Sequence, residues 1–176
     1  MPVDGLIVGS CYRKRGSARG ALVCGFALLL AATLVKDASA SGGFGMTWAK
    51  SSHNATYGAD LVGCVGCYPY TGDTACTNAL PILCIKPDGA ANPGLAVDFY
   101  HGWIGGNIGL TQSYKGIRLT SLEVANALCA SAFGPGWVMA EFHHPGGGWY
   151  WYSHGDISDA GRFWVYINDQ PGNCWN

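Results

Sequence analysis

The segment EFHHPGGGWYWYSHGD, residues 141–156, gathers most of the side chains here that could do chemistry: Glu141, His143, His144, His154 and Asp156. Two imidazoles and a carboxylate make a zinc site when they converge tetrahedrally. His143, His154 and Asp156 would be the ligands, and Glu141 beside them would make a metal-dependent hydrolase. One feature weighs against this, and no serine nucleophile offers a different hydrolytic chemistry. His143 and His144 are adjacent, so in a strand they face opposite ways and cannot serve one site without a bend. Ser153 and Ser158 lack the G-x-S-x-G context of an exposed nucleophile. The plainer reading is a polar loop with one buried, hydrogen-bonded histidine. On that reading no residue is catalytic and no cofactor is required.

The same segment offers a binding chemistry. In an alternating strand Trp149 and Trp151 lie on one side, and Tyr150 and Tyr152 on the other. One side packs on a core, and the other leaves aromatic surface suited to stacking on sugar faces or docking a protein. Trp149 and Trp151, with Asn168 and Asp169 near the C-terminus, are the candidate ligand-binding residues. The competing expectation is that both sides are covered, because tryptophan is mostly buried.

The compartment decides what the cysteines mean. Arg13-Lys14-Arg15 and Arg19 precede the apolar run ALVCGFALLLAATLV (residues 21–35), and Ala38-Ser39-Ala40 follows it. That is the layout of a cleavable export signal over residues 1–40, and the run is shorter than the roughly 20 residues a membrane span needs. Secretion or periplasmic export is expected, with no membrane span in the mature chain. The remainder carries five basic residues (Lys50, Lys86, Lys115, Arg118 and Arg162) against nine acidic ones. Nucleic acid, which needs clustered Lys and Arg, is therefore excluded as a partner. An extracellular or cell-surface ligand, glycan or protein, is the class left.

Six cysteines follow the signal: Cys64, Cys67, Cys76, Cys84, Cys129 and Cys174. In an oxidising compartment an even set reads as disulfides, with fifteen connectivities open. Four crowd into residues 61–92 and two lie far downstream. A four-cysteine zinc knot at 64, 67, 76 and 84 is the sharper alternative, and oxidation argues against it. Cys64-Val65-Gly66-Cys67 also has the form of a redox pair, but no βαβ pattern surrounds it.

The positioning elements follow from pattern. Residues 41–60 look like a polar lead-in, and residues 61–176 a single stapled α+β domain. Pro81–Lys86 reads as a strand, and the glycines of GWIGGNIG suggest twisted or bulged strand. Thr120-Ser121-Leu122-Glu123 reads as a capping box, with Thr120 as N-cap of a helix over Ser121–Phe133 and Leu119 stapled to Val124. Leu122, Ala125, Leu128, Cys129, Ala132 and Phe133 share one face. WYWYSH and RFWVYIN read as a hairpin, and Phe163, Val165 and Ile167 form the seat for the helix. Cys129 then points at the final strand, and Cys174 is expected to close onto it, separate from a closed set among the other four.

LTSLEVANALCASAFGPGWVMAEF, leading to RFWVYIND and QPGNCW, resembles a reduced C-type-lectin-like domain over residues 118–176. In that superfamily a helix cysteine bridges to the C-terminal strand region, and some members bind sugar through calcium. The GDT-x-C…LP-x-LC and GW-x-MAEFH segments also resemble secreted bacterial proteins. The resemblance implies a small antiparallel sheet with one main helix packed on it. It does not carry calcium across: Ile167 replaces the tryptophan before Asn168-Asp169, and Gly172 follows Gln170-Pro171. Asn168 and Asp169 are then turn residues.

Overall fold

The computed structural model describes residues 42–144, 148–159 and 161–176, all within one compact unit, Asp37–Asn176. The expected export signal at residues 1–40, with Cys11 and Cys24, lies outside the described residues, as do residues 145–147. In chain order come β1 (Phe44–Gly45), β2 (Thr47–Asn54), β3 (Ala59–Gly63), β4 (Thr74–Ala75), β5 (Ala79–Leu80), β6 (Leu83–Lys86), β7 (His101–Leu110) and β8 (Tyr114–Lys115). The helix α1 (Leu122–Phe133) follows, then β9 (Val138–Met139), β10 (Tyr150–His154) and β11 (Arg162–Trp164).

The domain is mostly β. Seven strands form one mixed sheet in the order β11-β2-β3-β10-β7-β6-β9, and β1 with β4 and β5 with β8 make two short pairs. This corrects the expected small antiparallel sheet under one main helix. Residues 41–60, read as a lead-in, supply β2 in the sheet interior. Asn54 explains the β2–β3 turn: its Oδ1 accepts from the N–H groups of Thr56 and Tyr57 at 3.1 and 3.3 Å, and Gly58 takes the left-handed conformation at φ 57°. The expected hairpin of WYWYSH with RFWVYIN does not form. β10 pairs with β3 antiparallel and β7 parallel, while β11 pairs with β2. A parallel β7–β10 pair needs a long crossover, and α1 lies in that crossover.

Alternation along the strands then builds two layers. Leu83 and Ile85 enter one buried cluster, whereas Ile82 and Cys84 enter the other. Phe163, Val165 and Ile167 belong to the first, Trp164 to the second. The first cluster draws Trp48, Val62, Trp151, Ile108, Leu83 and Phe163 from β2, β3, β10, β7, β6 and β11. One cluster can collect both ends of a seven-stranded sheet only if the sheet curls around it. The ends do meet, through isolated parallel bridges Ile82–Trp164 and Glu141–Tyr166. Closure of this kind removes the open edges that invite aggregation.

The helix packs outside the curl. Its N-cap is Ser121, whose Oγ accepts from Val124 N–H at 3.3 Å, one residue later than expected. Glu123 therefore falls in the second helical position, and its contact with Ser121 holds its carboxyl below the usual range. The staple does not form either: Leu119 is buried, whereas Val124 is exposed. Ala125 and Cys129 are buried against Met139, Cys84 and Trp164, and Asn126 Oδ1 accepts from Met139 N–H at 2.8 Å. The seat is thus the outer face of β6 and β9, with Trp164, and not the face carrying Phe163, Val165 and Ile167.

Three disulfides form among the described residues: Cys64–Cys67, Cys76–Cys174 and Cys84–Cys129. The expected Cys129–Cys174 bridge and the closed set of four are both overturned. Cys129 faces β6, where Cys84 projects outward. Cys174 meets Cys76 beside Trp164, at a crowded point where a Cβ on Gly45 or Gly116 would lie 2.5 Å from Cys174 Sγ. No bridge therefore joins the helix cysteine to the C-terminal segment.

Candidate functional site

Trp149 and Trp151, two residues apart, have opposite fates. Trp151 lies mid-sheet opposite Val62 on β3 and Gly102 on β7. It is 0% exposed, with its ring 5.5 Å from Trp48. Trp149 precedes β10, beyond the paired region, and is 41% exposed. Its carbonyl accepts from Cys64 N–H at 2.9 Å, and its ring meets Phe142 edge-on at 5.2 Å. Trp151 is core, and of the two only Trp149 reaches the surface.

Trp149 borders an open cleft of about 140 Å³. Pro69, Tyr70, Phe142 and Ile167 complete its apolar lining, and His143, Asp169 and Gln170 supply polar groups. Sites that enclose a drug-sized ligand run to roughly 300–1,000 Å³, so this one has room for no more than a single ring or side chain. The closure of the sheet explains the gathering. Phe142 N–H donates to Tyr166 O at 2.9 Å, and Tyr166 N–H to Ala140 O at 3.1 Å. Residues 141–143 and 166–169 therefore run side by side. Asn173 sets the turn beyond: its Oδ1 accepts from Ile167 N–H at 3.0 Å, and its Nδ2 donates to Ile167 O at 2.8 Å.

The electrostatics are mixed. His143 Nε2 lies 3.4 Å from Asp169 Oδ1, both partly exposed. Glu141 behind them is buried, and its Oε1 has no hydrogen-bond partner among the described residues. Burial pushes its carboxyl above the usual 4.5; the backbone N–H groups of His143 and Asn168 oppose this, as does the His143 ring, and Asp169 adds to it. Burial also pushes the His144 imidazole below its ordinary value. Asn168 sits exposed in the adjoining bend, outside the cleft lining.

The proposed zinc ligands do not converge. His154 packs edge-on against Trp103, with centroids 4.9 Å apart. Asp156 joins a different cluster, with Lys50, His53 and Asp60. His53, Asp60 and Asp156 have metal-ligand spacing, their ligand atoms within 4.8 Å of one another. A cation already stands among them: Lys50 Nζ lies 3.0 Å from Asp60 and 3.5 Å from Asp156. Desolvation lowers the Lys50 pKa, but its hydrogen bond and the charge of Asp60, with Asp159 and Asp156, outweigh that and leave it raised. Asp60, fully buried, also accepts from Ile157 N–H at 2.7 Å. This is an ion-pair network that ties the 155–159 loop to β2 and β3.

Tyr70, Phe142, Gln170 and Asn173 escape a reading of sequence. Tyr68-Pro69-Tyr70 did carry a signal, since a proline between two tyrosines beside a CxxC ring resists burial; both tyrosines are 52% exposed. Comparison with protein-family models, curated proteins and solved structures finds no match to the chain. Fold and site together define a disulfide-stapled domain of curled, mixed sheet with an aromatic cleft where the sheet closes.

Proposed function

We propose that the protein is an exported, non-catalytic binding module whose cleft takes one ring of an extracellular ligand, a carbohydrate above all. One observation carries this reading: Trp149 stands exposed on a stapled scaffold, in a cleft shared with Tyr70, His143, Asp169 and Gln170. An aromatic face stacks on the C–H face of a sugar, and flanking imidazole, carboxylate and amide groups take its hydroxyls. Three disulfides suit an oxidising compartment. Among the described residues no helix is long and apolar enough to cross a membrane. Glycan-array screening of the chain beginning at Ser41, followed by calorimetry on any hit, tests the reading. Trp149→Ala and Tyr70→Ala should each weaken binding at least tenfold, about 1.4 kcal/mol, with the melting temperature nearly unchanged. Binding that survives both replacements would move the site elsewhere.

A further inference from the structure

The three bridges differ in what surrounds them. Cys76, Cys84 and Cys129 are 0% exposed and Cys174 5%, all within the outer buried layer. Their bridges span 98 and 45 residues of chain. Cys64–Cys67 spans three, and Cys67 is only partly buried. The ring reaches solvent at Val65 and Gly66, and Gly66 turns it with φ 65°. Tyr68 and Tyr70 stand exposed just beyond.

We propose that Cys64–Cys67 is a thiol–disulfide exchange site, opened by a dithiol while the two buried bridges hold the fold. A thiolate of the dithiol attacks the Sγ of Cys67, the less buried of the two cysteines, forming a mixed disulfide and expelling Cys64 as a thiolate, which takes a proton. The second thiol of the reagent then attacks its own sulfur in that mixed disulfide. Cys67 leaves as a thiolate and is protonated; the reagent departs as a disulfide. Two electrons and two protons pass from the dithiol to the protein. Access governs the rate of such exchange. Opening a three-residue span also releases little chain entropy, so the reduced ring stays in place. Four contacts hold it: Cys64 N–H to Trp149 O at 2.9 Å, Tyr150 Oη to Cys64 O at 3.3 Å, Arg162 to Val65 O at 2.7 Å and Tyr68 N–H to Asp73 at 3.0 Å.

The test treats the folded chain from Ser41 with rising dithiothreitol, blocks free thiols with iodoacetamide and maps the labelled peptides. Near-ultraviolet circular dichroism runs in parallel. Labelling of Cys64 and Cys67 should outpace that of the other four cysteines at least about tenfold, with the tertiary signal kept. The Cys64→Ser/Cys67→Ser double variant, under the same mild conditions, should take up no label. Simultaneous labelling of all six cysteines, or labelling of Cys64 and Cys67 only as the tertiary signal collapses, would overturn the proposal.

Discussion

Trp164 and Trp151 are both buried on the same sheet, yet they belong to layers built in different ways. Trp164 lies outside the curl. Its Nε1 donates to Tyr114 O at 3.0 Å, and it shares its cluster with both long-range bridges and the helix. Trp151 lies inside, where its Nε1 and that of Trp48 have no partner among the described residues. The inner layer is closed by the curl, and aromatic packing is its main content. The outer layer has no sheet to close it, only short elements from distant parts of the chain. The two long-range bridges stand where closure by geometry is missing. The aromatic cleft opens at the rim of the inner layer, where Trp149 O accepts from Cys64 N–H beside the short Cys64–Cys67 ring.

Removing one staple from each layer breaks this comparison most sharply. Cys76→Ser/Cys174→Ser should cost about 4.7 kcal/mol in the chain-entropy account, whereas Cys64→Ser/Cys67→Ser should cost only about 2 kcal/mol. Urea denaturation of the two double variants checks the order, and equal losses would show that bridge position carries no such division. Inside the curl, Trp151→Ala should cost roughly 3–5 kcal/mol. A loss as small as that of Trp149→Ala would mean the inner layer is not the aromatic core described.

The smallest effect concerns Glu141 at the rim. Its folded carboxyl is raised above the usual 4.5 by burial, so the folded state holds a proton that the unfolded state releases. Stability therefore falls as pH rises from 4.5 through the raised value and levels off above it. Glu141→Gln should flatten that slope, as read by denaturation midpoints between pH 4 and pH 8. An unchanged slope would mean that Glu141 is better solvated than its surroundings imply.

Local patterns were legible from the chain. Residues 83–86 are a strand, as Pro81–Lys86 suggested. The glycines of GWIGGNIG produce the irregular β7, with Gly105 and Gly106 at φ 68° and 76° and a register shift against β10. The capping motif marked the helix to within one residue, because Thr120 and Ser121 both offer a hydroxyl and only the entering chain direction selects Ser121. The even cysteine number read as bridges, and three form among the described residues.

Pairing lay beyond such patterns. WYWYSH and RFWVYIN alternate as hairpin strands do, but alternation fixes which side chains share a face and never which strand lies alongside. The sheet places β2 and β3 between them. Cys129 pointed inward from the helix as expected, yet its partner depends on which outward-facing residue the helix covers, and the curl put Cys84 there. Trp149 and Trp151 had identical standing as i and i+2; where β10 pairs made one core and left the other at the cleft. Sequence spacing determined faces, turns and oxidation chemistry because these act over a few residues. Strand order, disulfide partners and the assembly of Tyr70, Phe142, His143, Trp149 and Asp169 join residues far apart in the chain, Thr47 with Trp164 at the extreme, and only the closing of the sheet on itself decided them.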